Sequence, residues 1–387
     1  YMNEYNDLYV PPGWDEWFAF LEDGLAKNQV NDDGQSVTLT GNSADAFANE
    51  ASNFIRRSSA NPEPFFVVIG TKAPHDPPEV ADRYKDRFAT TPLPKPSNFN
   101  EADVSDKPQW VRSRSLLSQT QIDEIEREYR ARLRSMLSVE DLLKETIATL
   151  QETGELSNTY IVFTSDNGFH LGQHRLGAGK WTPYEEDIRV PLIVRGPGVP
   201  EGETLHHMVL NNDLAPTFAD LAGAEPPSFV DGRSLKPLLT DDPTPLRDWR
   251  QRFVIESVAE RSGVPHPPFI TESTVVPLLT GDPLPGDWRR TSAASAQSSE
   301  EWGRPWLKAL RTNNYLYVDY KTGEHELYDL RKDPHQLDNI YATAPPEITQ
   351  RLETQLDALR QCSAEDCRTA ESEKQGKRPT GRRPSGG

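Results

Sequence analysis

Apolar positions along the chain fall into continuous runs and spaced ones, and the two predict different elements. Phe65-Phe66-Val67-Val68-Ile69 and Tyr160-Ile161-Val162-Phe163 are continuous and rich in β-formers. Uninterrupted runs of this length suit strands covered on both faces, the condition of an interior parallel strand. A third run, Val190-Pro191-Leu192-Ile193-Val194, follows a polar loop. Between the first two, Ile122, Ile125, Tyr129, Leu133, Met136 and Leu137, then Leu143, Ile147 and Leu150, recur at helical spacing. They predict a helix over 119–153, closed by Gly154 and serving as the crossover that delivers the strand at 160.

The flanks are less regular. Residues 1–35 are aromatic and acidic without clean periodicity, 36–40 read as a short strand, and Ser43 is placed to cap a helix carrying Phe47, Ala51, Phe54 and Ile55. Residues 82–108 are Pro-rich and irregular, and Asn212 or Asp213 caps a helix through Leu214, Phe218 and Leu221 that stops at Gly223. Near the end, 306–310, 315–320 and 326–330 read as an antiparallel meander, covered by a helix with Ile348, Leu352, Leu356 and Leu359. The expected organisation is an α/β domain over 1–235 and a Pro/Ser-rich interval over 236–302. An antiparallel α+β subdomain over 303–362 and a disordered tail over 363–387 follow. The interval holds a local echo, Pro237 to Trp249 and again Pro277 to Trp288.

Composition narrows the classes. Of 387 residues, 42 are Lys or Arg and 60 are Asp or Glu, a net charge of −18 that disfavours nucleic acid as a partner. The 33 prolines and a mean hydropathy of −0.70 indicate a loop-rich enzyme, and no run approaches a membrane span. The first residues, YMNEYN, contain no signal-peptide pattern, so targeting information is expected to be absent or removed. Cys362 and Cys367, in CSAEDC, permit one local disulfide, and no Asn-x-Ser/Thr sequon occurs.

The polar corner Thr164-Ser165-Asp166-Asn167-Gly168, at the end of the second run, carries the chemistry. Asp166 and Asn167 offer a carboxylate and an amide oxygen side by side, hard donors for Ca²⁺ or Mg²⁺; the same residues also suit a plain Asx turn before Gly168. Zinc would call for an imidazole where Asn167 stands. His170 and His174 have the spacing of a helical zinc pair, but Leu171 replaces the glutamate of such motifs and Gly172 and Gly177 oppose a helix. They read as substrate-pocket residues or as loop hydrogen-bonders. The first run likewise ends in a polar loop, Thr71-Lys72-Ala73-Pro74-His75. Lys72 is a substrate-binding candidate, and His75 and Lys180 together suit anion binding and protonation of a leaving oxygen. Glu185, Glu186, Asp187 and Arg189 read as loop scaffolding, with Arg189 paired to a nearby carboxylate.

The stretch FTSDNGFHLGQHRLGAGKWTPYEEDIRVPLIVRGPGV resembles the metal and substrate segment of the formylglycine-dependent sulfatases, in the branch of fungal arylsulfatases and N-acetylglucosamine-6-sulfatases. PFFVVIGTKAPHDPP, NNDLAPTFADLAG and ELYDLRKDPHQLDNIY resemble further segments in the same order. The resemblance implies an alkaline-phosphatase-like α/β sandwich with a largely parallel central sheet and a small antiparallel carboxy-terminal domain. It implies Asp166 and Asn167 as ligands of one Ca²⁺, His75 as leaving-group acid or sulfate contact, and Lys180 as sulfate ligand. It further implies a small aryl or sugar sulfate as substrate and a secretory or extracellular location. The family's Cys/Ser-x-Pro-x-Arg nucleophile motif, source of its formylglycine, does not occur here, nor does its further Asp-Asp ligand pair. The chain is therefore expected to be a fragment, inactive alone and a poor Ca²⁺ binder. The competing expectations are a phosphate or phosphonate monoester hydrolase of the same superfamily, and a non-catalytic remnant that acts as a binding protein.

Overall fold

The computed structural model describes residues 8–21, 28–257 and 306–372. They divide into two units, one of Tyr1–Ala102, Ser115–Lys180 and Tyr184–Arg250, the other of Asp103–Arg114, Trp181–Pro183 and Gln251–Gly387. The sequence boundary at 235 does not fall on this division. Residues 236–250 stay with the first unit, where Trp249 is buried with Leu235 and Leu238 and donates Nε1–H to the Met208 carbonyl at 2.8 Å.

The first unit opens with an antiparallel meander, β1 (Phe18–Phe20), β2 (Gln29–Asp32) and β3 (Gln35–Thr38). Asp33 and Gly34 turn β2 into β3 with φ of 46° and 88°, the left-handed pair that a two-residue hairpin requires. That Asp-Gly pair was the local signal for structure in a stretch whose periodicity predicted none. Helix α1 (Ser43–Ser58) starts one residue earlier than expected. Asn42 is the cap, accepting from the Ala44 N–H at 3.2 Å, while the Ser43 N–H donates to Glu79. Its Phe47 and Ala48 pack with Phe20, Val30 and Leu142.

Helix α2 (Gln119–Glu152) matches its sequence pattern, opening on a capping box between Ser118 and Gln121 and followed by Gly154 at φ 80°. Arg83 bridges Asp45 of α1 and Asp141 of α2. Burial pushes the Asp141 carboxyl up, but hydrogen bonds from Tyr84 and Arg83 outweigh it and hold the group below the ordinary carboxylate range.

From α2 the chain enters β4 (Ile161–Thr164), then a two-stranded ribbon, β5 (His170–Leu171) with β6 (Ala178–Gly179), and a helical turn, α3 (Glu185–Ile188). It returns as β7 (Leu192–Arg195), antiparallel to β4 with Val162 opposite Val194. Residues 65–69 enter no ladder. Their exposure alternates, with Phe66 at 52% and Val68 at 60%, as in an extended segment with one face more covered than the other. No parallel pair forms among the described residues. Helix α4 (Leu214–Leu221) follows a turn at Asn211–Asp213. Asp213 does not cap it through its side chain. Its carboxylate instead takes both guanidinium nitrogens of Arg250, at 2.6 and 2.7 Å, in a pair with no solvent exposure.

The second unit is a four-stranded antiparallel sheet, β8 (Arg252–Ser257), β9 (Leu307–Thr312), β10 (Tyr315–Tyr320) and β11 (His325–Asp329), in the order β11-β10-β9-β8. Helix α5 (Pro346–Leu359) covers it, closing a core of Leu310, Tyr317, Leu327, Leu352, Leu356 and Leu359. Each such side chain contributes about 1.5–3 kcal/mol when fully buried. The strand β8 corrects the expected interval, since residues 252–257 complete this sheet. A short helix, α6 (Glu365–Ser372), likewise corrects the expected tail. Hydrogen bonds from Gln251 and Arg252 to the carbonyls of Glu371 and Ala370 hold it, and the Cys362–Cys367 disulfide ties it to the turn after α5. The second copy of the echo and residues 373–387 lie outside the described residues.

Candidate functional site

The corner after β4 is pinned by its own polar groups. Thr164 Oγ1 donates to the Pro191 carbonyl at 2.8 Å, Ser165 Oγ to the Asn167 carbonyl at 2.9 Å, and the Asn167 N–H to Asp166 Oδ1 at 2.7 Å. Asn211, which no sequence pattern singled out, donates Nδ2–H to the carbonyls of Ser165 and Asp166 at 3.1 and 2.8 Å. Gly168 donates its N–H to the Asp187 carbonyl, and a Cβ there would stand 2.0 Å from the Glu186 carbonyl oxygen. Only glycine lets the corner lie this close to α3. An Asx turn at Asp166 is not made, since the Gly168 N–H it would use goes to Asp187, and the Asn167 amide oxygen accepts from Lys180 Nζ at 3.3 Å.

The second polar loop is held from α2. Arg132 donates to the Pro74 carbonyl at 3.0 Å, pairs with Asp76 at 3.0 Å and with Glu128 at 2.8 Å, and lies 3.6 Å over the ring of Phe169. One side chain thus grips the segment at 74–76 and the residue after the Asp166 corner. Burial raises the Glu128 carboxyl and the charge of Asp76 raises it further, against the pull of Arg132. Within the loop, His75 donates Nδ1–H to the Asp76 carbonyl at 2.9 Å, which leaves Nε2 as the ring nitrogen that can take up or give a proton.

Lys72, His75, Asp166, Asn167 and Lys180 line one cavity of 1410 Å³. Arg189 also lines it and has no carboxylate partner among the described residues, contrary to the expected pairing. Within this lining Lys72, Lys180 and Arg189 are groups that can hold a tetrahedral anion, and His75 is one that can protonate an oxygen leaving from it. Asp166 and Asn167 supply hard oxygens of the right kind for Ca²⁺, but they are two of the six to eight such a site uses. Among the described residues no group of three His, Cys, Asp or Glu side chains is placed to hold a metal.

The two loop histidines go elsewhere. His170 is buried with Nδ1 on Asp187 at 2.9 Å. His174 has no exposure, sets Nδ1 on Glu101 at 2.6 Å and lies with its ring tilted 31° to that of Tyr184, centroids 4.2 Å apart. Neither lines the cavity, so the expected substrate contact gives way to bracing of the loop by buried carboxylates. The partner carboxylates lie 17 and 73 residues away in sequence, beyond the reach of local pattern.

Two chain segments that present polar loops to one cavity, backed by helices, fit an α/β chain of alkaline-phosphatase-like fold, with a small antiparallel carboxy-terminal domain. The model of the family described as Sulfatase matches residues 2–224, and the chain belongs to that family. N-acetylglucosamine-6-sulfatase of Bos taurus is 32% identical over 387 residues, covering 95% of this chain and 66% of the relative. Arylsulfatase of Volvox carteri is 34% identical over 394 residues, covering 92% and 58%. The chain thus spans about two thirds or less of the length of these relatives. A solved structure described as a complex with its substrate D-glucosamine-2-N,6-O-disulfate superposes with a TM-score of 0.72 at 24% identity, covering 94% of this chain and 79% of that one. A phosphonate monoester hydrolase from Silicibacter pomeroyi superposes with a TM-score of 0.59 at 24% identity, covering 81% and 59%.

Proposed function

We propose that the cavity is one wall of a sulfuric ester hydrolase site, and that its substrate is an aryl or sugar sulfate. The observation that carries this reading is the convergence of Lys72, His75, Asp166, Asn167 and Lys180 on one cavity in a chain of the sulfatase family. The ammonium groups of Lys180 and Lys72 bind the non-bridging sulfate oxygens. His75, its Nδ1 fixed on the Asp76 carbonyl, presents Nε2 to carry the proton to the departing alkoxide. Asp166 and Asn167 would hold one Ca²⁺, which when bound adds positive charge against the sulfate oxygens. The names of the relatives support the substrate class. An extracellular sulfatase homologue of Drosophila melanogaster, 36% identical over 275 residues, supports a secretory or extracellular location.

Among the described residues we assign none to the nucleophile's place. The sequence contains no Cys/Ser-x-Pro-x-Arg, and its two cysteines are bonded to one another in the second unit. The 387 residues therefore bind the ester without completing turnover, and a formylglycine on further polypeptide would complete the site. With purified chain, Ca²⁺ and 4-nitrocatechol sulfate, no sulfate is released above the buffer control, and calorimetry gives a Ca²⁺ dissociation constant weaker than about 1 mM. Sustained release of sulfate contradicts the incompleteness. Sustained hydrolysis of a phosphonate monoester in its place contradicts the ester assigned.

A further inference from the structure

The loop that carries Lys72 and His75 has few donors of its own, because the prolines at 74, 77 and 78 bring no N–H. Its internal bonds close a turn over 71–75, with the His75 N–H on the Lys72 carbonyl at 2.7 Å and Thr71 Oγ1 on the Ala73 carbonyl at 2.9 Å. The two residues that flank His75 are held from α2. Arg132 donates from Nη1 to the Pro74 carbonyl at 3.0 Å and from Nη2 to the Asp76 carboxylate at 3.0 Å, so one guanidinium straddles the histidine. The carbonyl that accepts His75 Nδ1–H belongs to Asp76, one of those two residues. What Arg132 fixes is therefore the acceptor that decides which ring nitrogen bears the proton.

The guanidinium is itself fixed, on its remaining edge and on one face. Nε donates to Glu128, one helical turn back, at 2.8 Å, and Cζ lies 3.6 Å from the centroid of the Phe169 ring. Phe169 is a firm neighbour. The Gly168 N–H before it is bonded to the Asp187 carbonyl, and His170 after it is buried on the Asp187 carboxylate. Edge and face are used at once, which a planar fork allows and an ammonium does not. An arginine that only neutralised Glu128 would need neither the Pro74 carbonyl nor the ring.

We propose that Arg132 is a positioning residue for proton transfer at His75. With its edge it keeps the imidazole in the Nδ1–H form, so that Nε2 is the nitrogen offered to the leaving oxygen. With its face it holds the histidine loop in register with the Asp166 corner, which Phe169 follows. The inference rests on the reading of His75 as the proton carrier, and it adds the group that sets the ring.

Nitrogen shifts of the His75 ring in the isotope-labelled 387-residue chain test it, together with amide exchange, with no ester present and at a pH where imidazoles are neutral. In the unsubstituted chain the Nδ1–H form dominates. In Arg132→Lys, which keeps the charge and loses the fork, the ratio of Nδ1–H to Nε2–H rings falls by about tenfold. The amides of 167 and 168 exchange about tenfold faster in that variant, while β9, β10 and β11 are unchanged. Phe169→Leu separates the two contacts, since 167 and 168 speed up as before and the ring ratio stays. Asp76→Asn, at a side chain 48% exposed, weakens the same edge and lowers the ring ratio, and it replaces Arg132→Lys should that variant not fold. An unchanged ring ratio in Arg132→Lys, or in Asp76→Asn where it stands in, overturns the proposal, as does an Nε2–H ring in the unsubstituted chain. Exchange at 167 and 168 undisturbed by Phe169→Leu overturns the register with the corner. Sulfate enters none of these readouts, so a failure here is distinguishable from a failure of the sulfate-ester reading, which the binding of an aryl sulfate tests by itself.

Discussion

Gly168 shows how narrowly the candidate site is drawn at single residues. Alanine there would drive its Cβ into the Glu186 carbonyl at 2.0 Å, so the corner must leave α3 or α3 must move. Overpacking of this kind costs about 1–3 kcal/mol, and Gly168→Ala is expected to lose that much in urea unfolding. An unchanged midpoint would show that the corner has slack. The shared cavity of Asp166, Asn167 and His75 was legible in the sequence because each lies in a polar loop directly after an apolar run. Arg132 and Asn211 were not, although they position those loops. Arg132 sits among Arg130 and Arg134 on a helix, where nothing local separates a solvated arginine from one whose targets, Pro74 and Asp76, are more than fifty residues away. The same distance effect turned His170 and His174 from substrate contacts into buried partners of Asp187 and Glu101.

Elements with a strong period and a clear cap were read correctly, α2 above all, because its apolar stripe and the Ser118 and Gly154 signals agree. Elements defined by their partners were missed. The strand β8 lies in a Pro/Ser-rich stretch and earns its place only by pairing with β9, and α6 is held by hydrogen bonds to Gln251 and Arg252. The start of α4 is the sharpest case, since Asp213 looked like a cap and is half of a buried ion pair. Removing one partner of such a pair leaves an uncompensated buried charge, a loss of about 3–5 kcal/mol. Arg250→Ala is expected to fall in that range by denaturant titration. A loss under 1 kcal/mol would mean that Asp213 finds protonation or water easily, and that the Asn211 turn beside the corner does not depend on Arg250.

At the scale of the molecule, the run 65–69 and β4 each end in one of the polar loops that share the cavity. Apolar composition marked the two runs alike, and among the described residues only β4 pairs with another strand. The division into units was legible only in part, because residues 103–114 and 181–183 leave the first unit for the second without a break in composition. The account stands on the claim that the five cavity residues form a sulfate-ester wall. Its most direct test is titration of the isotope-labelled 387-residue chain with phenyl sulfate, followed through the side-chain resonances of Lys72, His75, Asn167 and Lys180. The account predicts saturable shifts at all four, abolished in Lys180→Met while the resonances of the second unit stay in place; shifts absent from these residues, or undiminished in Lys180→Met, would contradict it.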